Sequence, residues 1–278
     1  MGAMGTVREE LRQSWEQQQA IHEPDREQRF QVMLDHVEQL AGPPDQVLDL
    51  ACGPGSITRR VLDRFPAAQV VAVDVDPLLL DLARDAFAGD RRVRVLRRQL
   101  ADPNWTDGLT DVADGVESDD PRSGVVEADG MGSSAGAGRR FDAVLTATAM
   151  HWLPAPVLAQ VYAGVARVLR PGGVFANADH IPIAEPVLRA AAAVLHKRHL
   201  RDAFAAGAES CDQWYERAYG AAPYEGWWAE RERMFAHWTG DLLEREGWHV
   251  DLLRRSGFER AGTVWRHGND ALLLALRS

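Results

Sequence analysis

Two cysteines, Cys52 and Cys211, occur in 278 residues. That is too few for the disulfide framework of a small secreted protein. The opening stretch, Met1 to Glu10, also lacks the apolar segment of a secretion signal. A reduced, cytoplasmic setting is therefore expected. No apolar run approaches the ~20 residues that a bilayer span requires, so no membrane partner is expected either. Cations are scarce as well: 31 Lys and Arg stand against 41 Asp and Glu, a net charge of −10. A chain with no cationic excess has little with which to neutralise a phosphate backbone, and nucleic acid is not an expected partner. Composition leaves the oligomeric state unknown.

What is present is ordinary for a globular protein, 46% hydrophobic and 26% charged. The length suits one domain with insertions, or one plus a small cap. One insertion is conspicuous. From Asp107 to Arg139 there are eight acidic residues against two arginines, seven glycines and almost no large apolar side chain. Such a stretch cannot bury enough surface to offset its ordering entropy, and a disordered acidic insertion over 107–139 is expected. An acidic recognition loop is the alternative reading.

Around it, short β-rich runs alternate with helical spacing. The runs are Gln46 to Leu50, Gln69 to Asp74, Arg92 to Leu96, Phe141 to Thr146 and Gly173 to Asn177. This rhythm predicts an α/β, doubly wound, Rossmann-like sheet that is mostly parallel and covered on both faces. Pro77 marks a helix start, and Leu169-Arg-Pro-Gly-Gly173 ends one helix and turns the chain into the next strand. Near the end of the sequence, Phe258 to Arg266 and Ala271 to Leu276 flank a tight turn, so one strand should run antiparallel. The expected organisation is N-terminal helices over 1–42, broken at Pro24, then a nucleoside-binding core over 43–177. An aromatic-rich helical insertion or lid should follow over 178–240, and a last core helix and hairpin over 241–278.

Chemistry concentrates at strand tips. Val47-Leu-Asp-Leu-Ala-Cys-Gly-Pro-Gly-Ser56 ends a strand in a glycine-containing turn before a helix, the place where such sheets bring backbone against nucleosides. A dinucleotide fingerprint needs a third small residue where Thr58 stands, which weakens a pyrophosphate reading. Some twenty residues on, Val70-Val-Ala-Val-Asp74 ends the second strand in a carboxylate able to accept two ribose hydroxyls, with Val75 and Pro77 flanking a base. Capping the next helix is the alternative for Asp74, although Asp76 is better placed for it.

With these motifs on the page, the chain resembles the class I S-adenosylmethionine-dependent methyltransferases. The resemblance rests on Asp49-Leu-Ala-Cys-Gly-Pro-Gly55, Val71-Ala-Val-Asp-Val-Asp-Pro77, Phe141-Asp-Ala-Val-Leu-Thr146 and Leu169-Arg-Pro-Gly-Gly173, in that order. It implies a seven-stranded sheet with one antiparallel strand and S-adenosyl-L-methionine across the strand tips. Asp49 would hold the amino end of the methionine moiety, and Ala51, Gly53 and Gly55 would offer backbone and close approach. Asp74 would bind the ribose, and Thr146 would lie near the cofactor. Ala51 replaces a frequent glycine, tolerable if its φ is negative. Gln99 stands where an acid often accepts from adenine; it and the Leu100 amide can serve that base, with Asp102 as the alternative.

The fourth strand tip continues into Met150-His-Trp-Leu153, and with Trp105 this looks like bacterial small-molecule methyltransferases of the trans-aconitate type. His151 would orient or deprotonate a small-molecule acceptor and Trp152 would wall its pocket; a helix-start residue and core packing are the alternatives. Trp214, Tyr215, Trp227, Trp228 and Trp238 are expected as acceptor walls or as the core of a small subdomain. Cys52 reads as a turn filler, and neither His196 nor His199 makes a metal centre, so no metal is expected. The row of arginines from Arg91 to Arg98 reads as the exposed ends of a strand. An oxidoreductase using a nicotinamide, and a non-catalytic regulator that binds adenosylmethionine, are the competing functional readings.

Overall fold

The computed structural model describes residues 3–110, 140–235 and 244–278. Most of the expected acidic insertion, and Trp238, lie outside the described residues. Two helices, α1 (Ala3–His22) and α2 (Arg26–Ala41), precede the sheet and are separated at Pro24. The core then alternates: β1 (Gln46–Leu50), α3 (Ser56–Arg64), β2 (Gln69–Asp74), α4 (Pro77–Ala86), β3 (Val93–Arg97) and β4 (Phe141–Ala147). After a short 3-10 turn at Met150–Trp152 come α5 (Ala155–Val168) and β5 (Leu169–His180). Three helices follow, α6 (Pro186–Ala205), α7 (Cys211–Gly220) and α8 (Trp228–Phe235), then α9 (Glu246–Arg255) and the hairpin β6 (Phe258–His267) and β7 (Asp270–Arg277).

The seven strands are ordered β3-β2-β1-β4-β5-β7-β6. Pairs β1–β2, β1–β4, β2–β3 and β4–β5 are parallel, and β7 runs antiparallel to both its neighbours. The β1–β4 boundary, where the order reverses, is the crevice in which such sheets take ligands.

Alternation along the strands divides the core in two. Leu48, Leu50, Val144 and Phe175 face α5 and α9, with Val161, Tyr162 and Leu253 among the packed residues. Val47, Ala143, Leu145 and Val174 face α2 and α3, against Met33, Val37, Ile57 and Val61. Trp105 is buried beside α5 because Gly164 leaves room for it; a Cβ there would sit 2.7 Å from the indole.

A third cluster joins Leu11 of α1, Leu78, Leu79 and Leu82 of α4, and Trp214, Ala218, Tyr219 and Tyr224. Helix starts are locally encoded. Asp76 accepts from the Leu78 and Leu79 amides at 3.0 and 3.2 Å with Pro77 following it, and Ser210 with Gln213 forms a reciprocal cap on α7. Strand β5 runs to His180, three residues past the expected boundary at 177, because its pairing with β7 continues through Ala178, Asp179 and His180.

Candidate active site

A cavity of about 500 Å³ opens over the strand tips. Its floor is the turn after β1. Ala51 and Gly53 both lie in the left-handed region, with φ of 58° and 55°, and line the cavity. The expectation of a negative φ at Ala51 is therefore corrected: the turn imposes the conformation that an alanine Cβ disfavours. Gly55, with φ 90°, does not line the cavity. A Cβ there would stand 2.3 Å from the Phe87 ring, so this glycine serves packing of the turn against α4's end.

Behind the turn lies Asp49, fully buried and outside the cavity lining. Its Oδ2 accepts from the Thr58 amide at 2.9 Å and the Thr58 hydroxyl at 2.6 Å, giving α3 the first-turn acceptor that Gly55 cannot supply. Oδ1 has no partner. Burial, with the Asp74 charge adding to it, pushes the carboxyl up to about 7. A buried, uncompensated carboxylate beneath a nucleoside-type turn is the complement of an amino group, and this is the observation that fits an amino-acid-bearing cofactor.

Asp74 opens on the cavity at the tip of β2. Its Oδ2 accepts from the Gly53 amide at 2.8 Å, and Oδ1 accepts from Val75 and Asp76 at 2.7 and 2.9 Å. Burial raises its pKa to about 6 against the pull of those amides. The residue thus ties the first turn to the second while keeping one lone pair, on Oδ2, for a ligand. Asp76, and not Asp74, caps α4. Val75, Gln99 and Leu100 complete this end of the cavity, and Gln99 Oε1 is a buried acceptor without a donor. Asp102 is turned to the Asn104 amide at 2.8 Å and lies outside the lining.

The other end is built differently from the expectation. Thr146 is fully buried and does not reach the cavity; Ala147, Thr148 and Ala149 form that wall. Trp214, Trp227 and Trp228 are also corrected. Trp214 is 0% exposed, packs in the third cluster and donates its indole N–H to Ser14 at 2.9 Å, while Trp227 and Trp228 pack against the same cluster. The walls come from Trp15, Gln18, His22 and Phe30 of the first two helices, with Tyr215 and Phe235. Arg231 also lines the cavity, 3.2 Å from Asp76 and stacked on Tyr215 with its guanidinium carbon 3.9 Å from the ring centre.

His151 and Trp152 line this end, and Trp152 is 44% exposed. The His151 Nδ1 lies 2.6 Å from Asp179 Oδ1, and the Asp179 Oδ2 accepts the His151 backbone N–H at 3.1 Å. Burial opposes ionisation of Asp179, but its pairing with His151, followed by His180, holds it well below the usual carboxylate range. Asp179 and His180 escaped the sequence reading. The expected strand stopped at Asn177, so they fell outside it; in the structure they end β5, the same strand-tip position that singled out Asp74.

A methyltransferase-domain family model matches residues 48–175, the stretch that carries the first turn, Asp74 and the fourth and fifth strands. Residues 48–175, a little under half of the chain, thus carry a methyltransferase domain. Beyond that stretch similarity is local. The chain is 36% identical over 77 residues to a trans-aconitate 2-methyltransferase of Streptomyces avermitilis, covering 27% of this chain and 28% of the relative. It is 44% identical over 56 residues to a malonyl-[acyl-carrier protein] O-methyltransferase of Acetivibrio thermocellus, 20% of each. These matches thus span less than a third of either relative's length. Among solved structures, an O-methyltransferase family protein from Burkholderia thailandensis superposes with a TM-score of 0.52 at 18% identity, covering 89% of this chain and 56% of that one. The methyltransferase domain therefore shares the fold of that protein, and among the described residues no helix is long and apolar enough to cross a membrane.

Proposed function

We propose that this methyltransferase domain binds S-adenosyl-L-methionine and transfers its methyl group to a hydroxyl of a small molecule. Asp49 supports the cofactor's amino group from behind the turn, Ala51 and Gly53 bring backbone to it, Asp74 takes the ribose, and Val75, Gln99 and Leu100 surround the base. Bound adenosylmethionine supplies a sulfonium methyl whose carbon accepts an oxygen electron pair while the C–S pair stays on sulfur.

The protein's own contribution is orientation, dryness and one proton acceptor. With Asp179 accepting at Nδ1, the neutral imidazole of His151 carries its proton there and presents Nε2 as a base. Nε2 has no hydrogen-bond partner among the described residues. That pairing carries the choice of acceptor. A carboxylate acceptor needs no base, only cations; of the arginines lining the cavity, Arg26 is engaged by Glu16 at 2.5 Å and Arg231 by Asp76 at 3.2 Å, while Arg98, beside Gln99 at the base-binding end, donates to the Arg97 carbonyl at 2.8 Å. A cavity of about 500 Å³ walled by Trp15, Trp152 and Phe30 suits an aromatic or flat hydroxy compound in addition to the cofactor. The concave site and the net charge of −10 favour a small molecule over nucleic acid. The two free cysteines suit a reduced, cytoplasmic protein.

Incubation with methyl-labelled adenosylmethionine and a panel of small hydroxy compounds and metabolite extracts tests this. Label in an alkali-stable ether is expected. Label released by mild alkali would mark a carboxyl ester and overturn the hydroxyl reading. Calorimetry showing binding of NAD and not of adenosylmethionine would overturn the cofactor assignment.

A further inference from the structure

Helix α6 carries its apolar residues on the wrong side for a helix that packs only against its own domain. None of its 20 residues is buried. Among the described residues seven large apolar side chains are exposed, and four of them, Val187, Leu188, Val194 and Leu195, stand on this helix at 56–73% exposure. With Ala191 they fall within one sector about 120° wide on a 3.6-residue turn. Contacts with the rest of the domain leave that sector free: His199 Nε2 donates to the Ile21 carbonyl at 2.9 Å, the Phe204 ring centre lies 5.8 Å from that of His22, and Asn269 donates to the Arg189 carbonyl at 3.1 Å. A contiguous apolar stripe in solvent marks an interaction surface.

We propose that this face of α6 binds the same face of a second copy of the chain, antiparallel, about a two-fold axis at Ala191. The stretch Val187-Leu-Arg-Ala-Ala-Ala-Ala-Val-Leu195 repeats Val-Leu at either end of an alanine run. Antiparallel helices related by a two-fold axis meet same flank to same flank. Val194 therefore comes to Val187 of the second copy and Leu195 to its Leu188, with Ala191 against Ala191 at the crossing, where the small side chain lets the axes approach closely. Charge chooses the direction. The helix is basic beyond the stripe, at Lys197, Arg198 and Arg201, and has Glu185 at its start. Parallel pairing would set the basic ends together. Antiparallel pairing holds the two Arg198 side chains about 20 Å apart at the 1.5 Å rise per residue, well beyond the ~8 Å Debye length of physiological salt. It also brings Arg198, which has no partner among the described residues, toward the exposed Glu185 of the second copy. An acidic protein or an anionic membrane would answer the basic end, but not the Val-Leu repeated on both sides of the alanines.

A contact of two to three helical turns on each copy is small, so a dissociation constant in the micromolar range is expected. Light scattering after size exclusion of the full chain, at rising concentration, should show the mass move from that of one chain to that of two. Val194→Glu, which buries a charge against an apolar side chain in the dimer and leaves it in water in the monomer, should hold the mass at one chain throughout, with the same helix content by circular dichroism and the same melting temperature at low concentration. Ala191→Cys should join to itself on mild oxidation and run as a dimer on a non-reducing gel. Ala190→Cys, about 100° round the helix, should not, nor should the parent, whose Cys52 is buried and whose Cys211 lies in α7. Ala191→Cys changes the surface least, and so decides the matter should Val194→Glu fold poorly. A parent that keeps the mass of one chain at about 200 µM overturns the proposal. A dimer that survives Val194→Glu overturns this face as its interface, and cysteines at 190 and 191 that join equally well overturn the two-fold axis at Ala191.

Discussion

Replacing Asp49 by Asn should make the ligand-free protein more stable at pH 8 while weakening its hold on the cofactor. The carboxylate is fully buried, Thr58 satisfies Oδ2, Oδ1 has no partner, and the charged neighbour acting on it, Asp74, has the same sign. Its carboxyl is carried from 3.8 to about 7. A carboxyl raised on folding favours the folded state only while protonated, so its contribution is complete below about pH 4 and lost as pH rises through about 7. The full swing corresponds to about 4 kcal/mol. Asn keeps an acceptor for Thr58 but places an amide N–H where Oδ1 stood, at a cost of about 1–3 kcal/mol. The balance predicts a gain of about 1–3 kcal/mol at pH 8 and none at pH 4.5, read from urea unfolding at both values. Affinity for adenosylhomocysteine, measured by calorimetry, should fall at least about tenfold, the loss of a negative charge acting on the cofactor's amino group from behind the turn. A loss of stability at pH 8 would refute the claim that this charge is uncompensated. Higher stability with unchanged affinity would mean that the charge faces something other than the cofactor's amine.

Ala51→Gly relieves a left-handed alanine worth about 1–2 kcal/mol and costs about 0.5–1 in chain entropy, so the melting temperature should rise by about 1–3 °C; a fall would mean that the turn relaxes to accept the methyl group. Asp179→Asn should cut kcat at least about tenfold with little change in acceptor KM and shift the pH–rate profile, whereas a merely structural Asp179 would alter melting alone. Trp214→Ala should cost about 3–5 kcal/mol of stability. Trp152→Ala, at an exposed wall, should unfold within about 1 kcal/mol of the parent and raise acceptor KM, and equal destabilisation of the two would contradict their placement.

Local patterns carried the sheet. Strand runs such as Gln46–Leu50 and Gln69–Asp74 were legible because strands covered on both faces read as continuous apolar stretches, and the reversed hairpin because a short turn permits only antiparallel pairing. Asp74, Gln99 and His151 were legible as strand-tip residues of a family pattern. The acceptor wall was not. Aromatic content in residues 178–240 says that these side chains seek burial, not against what, and the third cluster claimed Trp214 and Tyr219 because α1 and α4 offered them an apolar face. Gln18 and His22 looked like the polar side of an ordinary amphipathic helix, and only the seating of α1 against α4 and α7 turns that side toward the cavity. The left-handed Ala51 was missed for a related reason: sequence gives a residue's preference, while a turn squeezed between β1 and α3 sets its φ.

Because β7 inserts between β5 and β6, the strand nearest the end of this sequence occupies an interior place in the sheet. As the chain leaves the ribosome, the tip bearing Asp179 and His180 therefore emerges roughly ninety residues before its partner strand, and until β7 arrives one edge of β5 offers unpaired amides and carbonyls, a template for wrong pairings. Asp270, whose carboxylate lies 2.5 Å from His180 Nδ1, arrives with that strand, so the residue that pairs with His180 also signals that the sheet is complete. A nascent or truncated chain can thus form the nucleoside end from β1 to β3 and still lack the acceptor end. Cofactor binding in such a fragment would precede any capacity to turn it over.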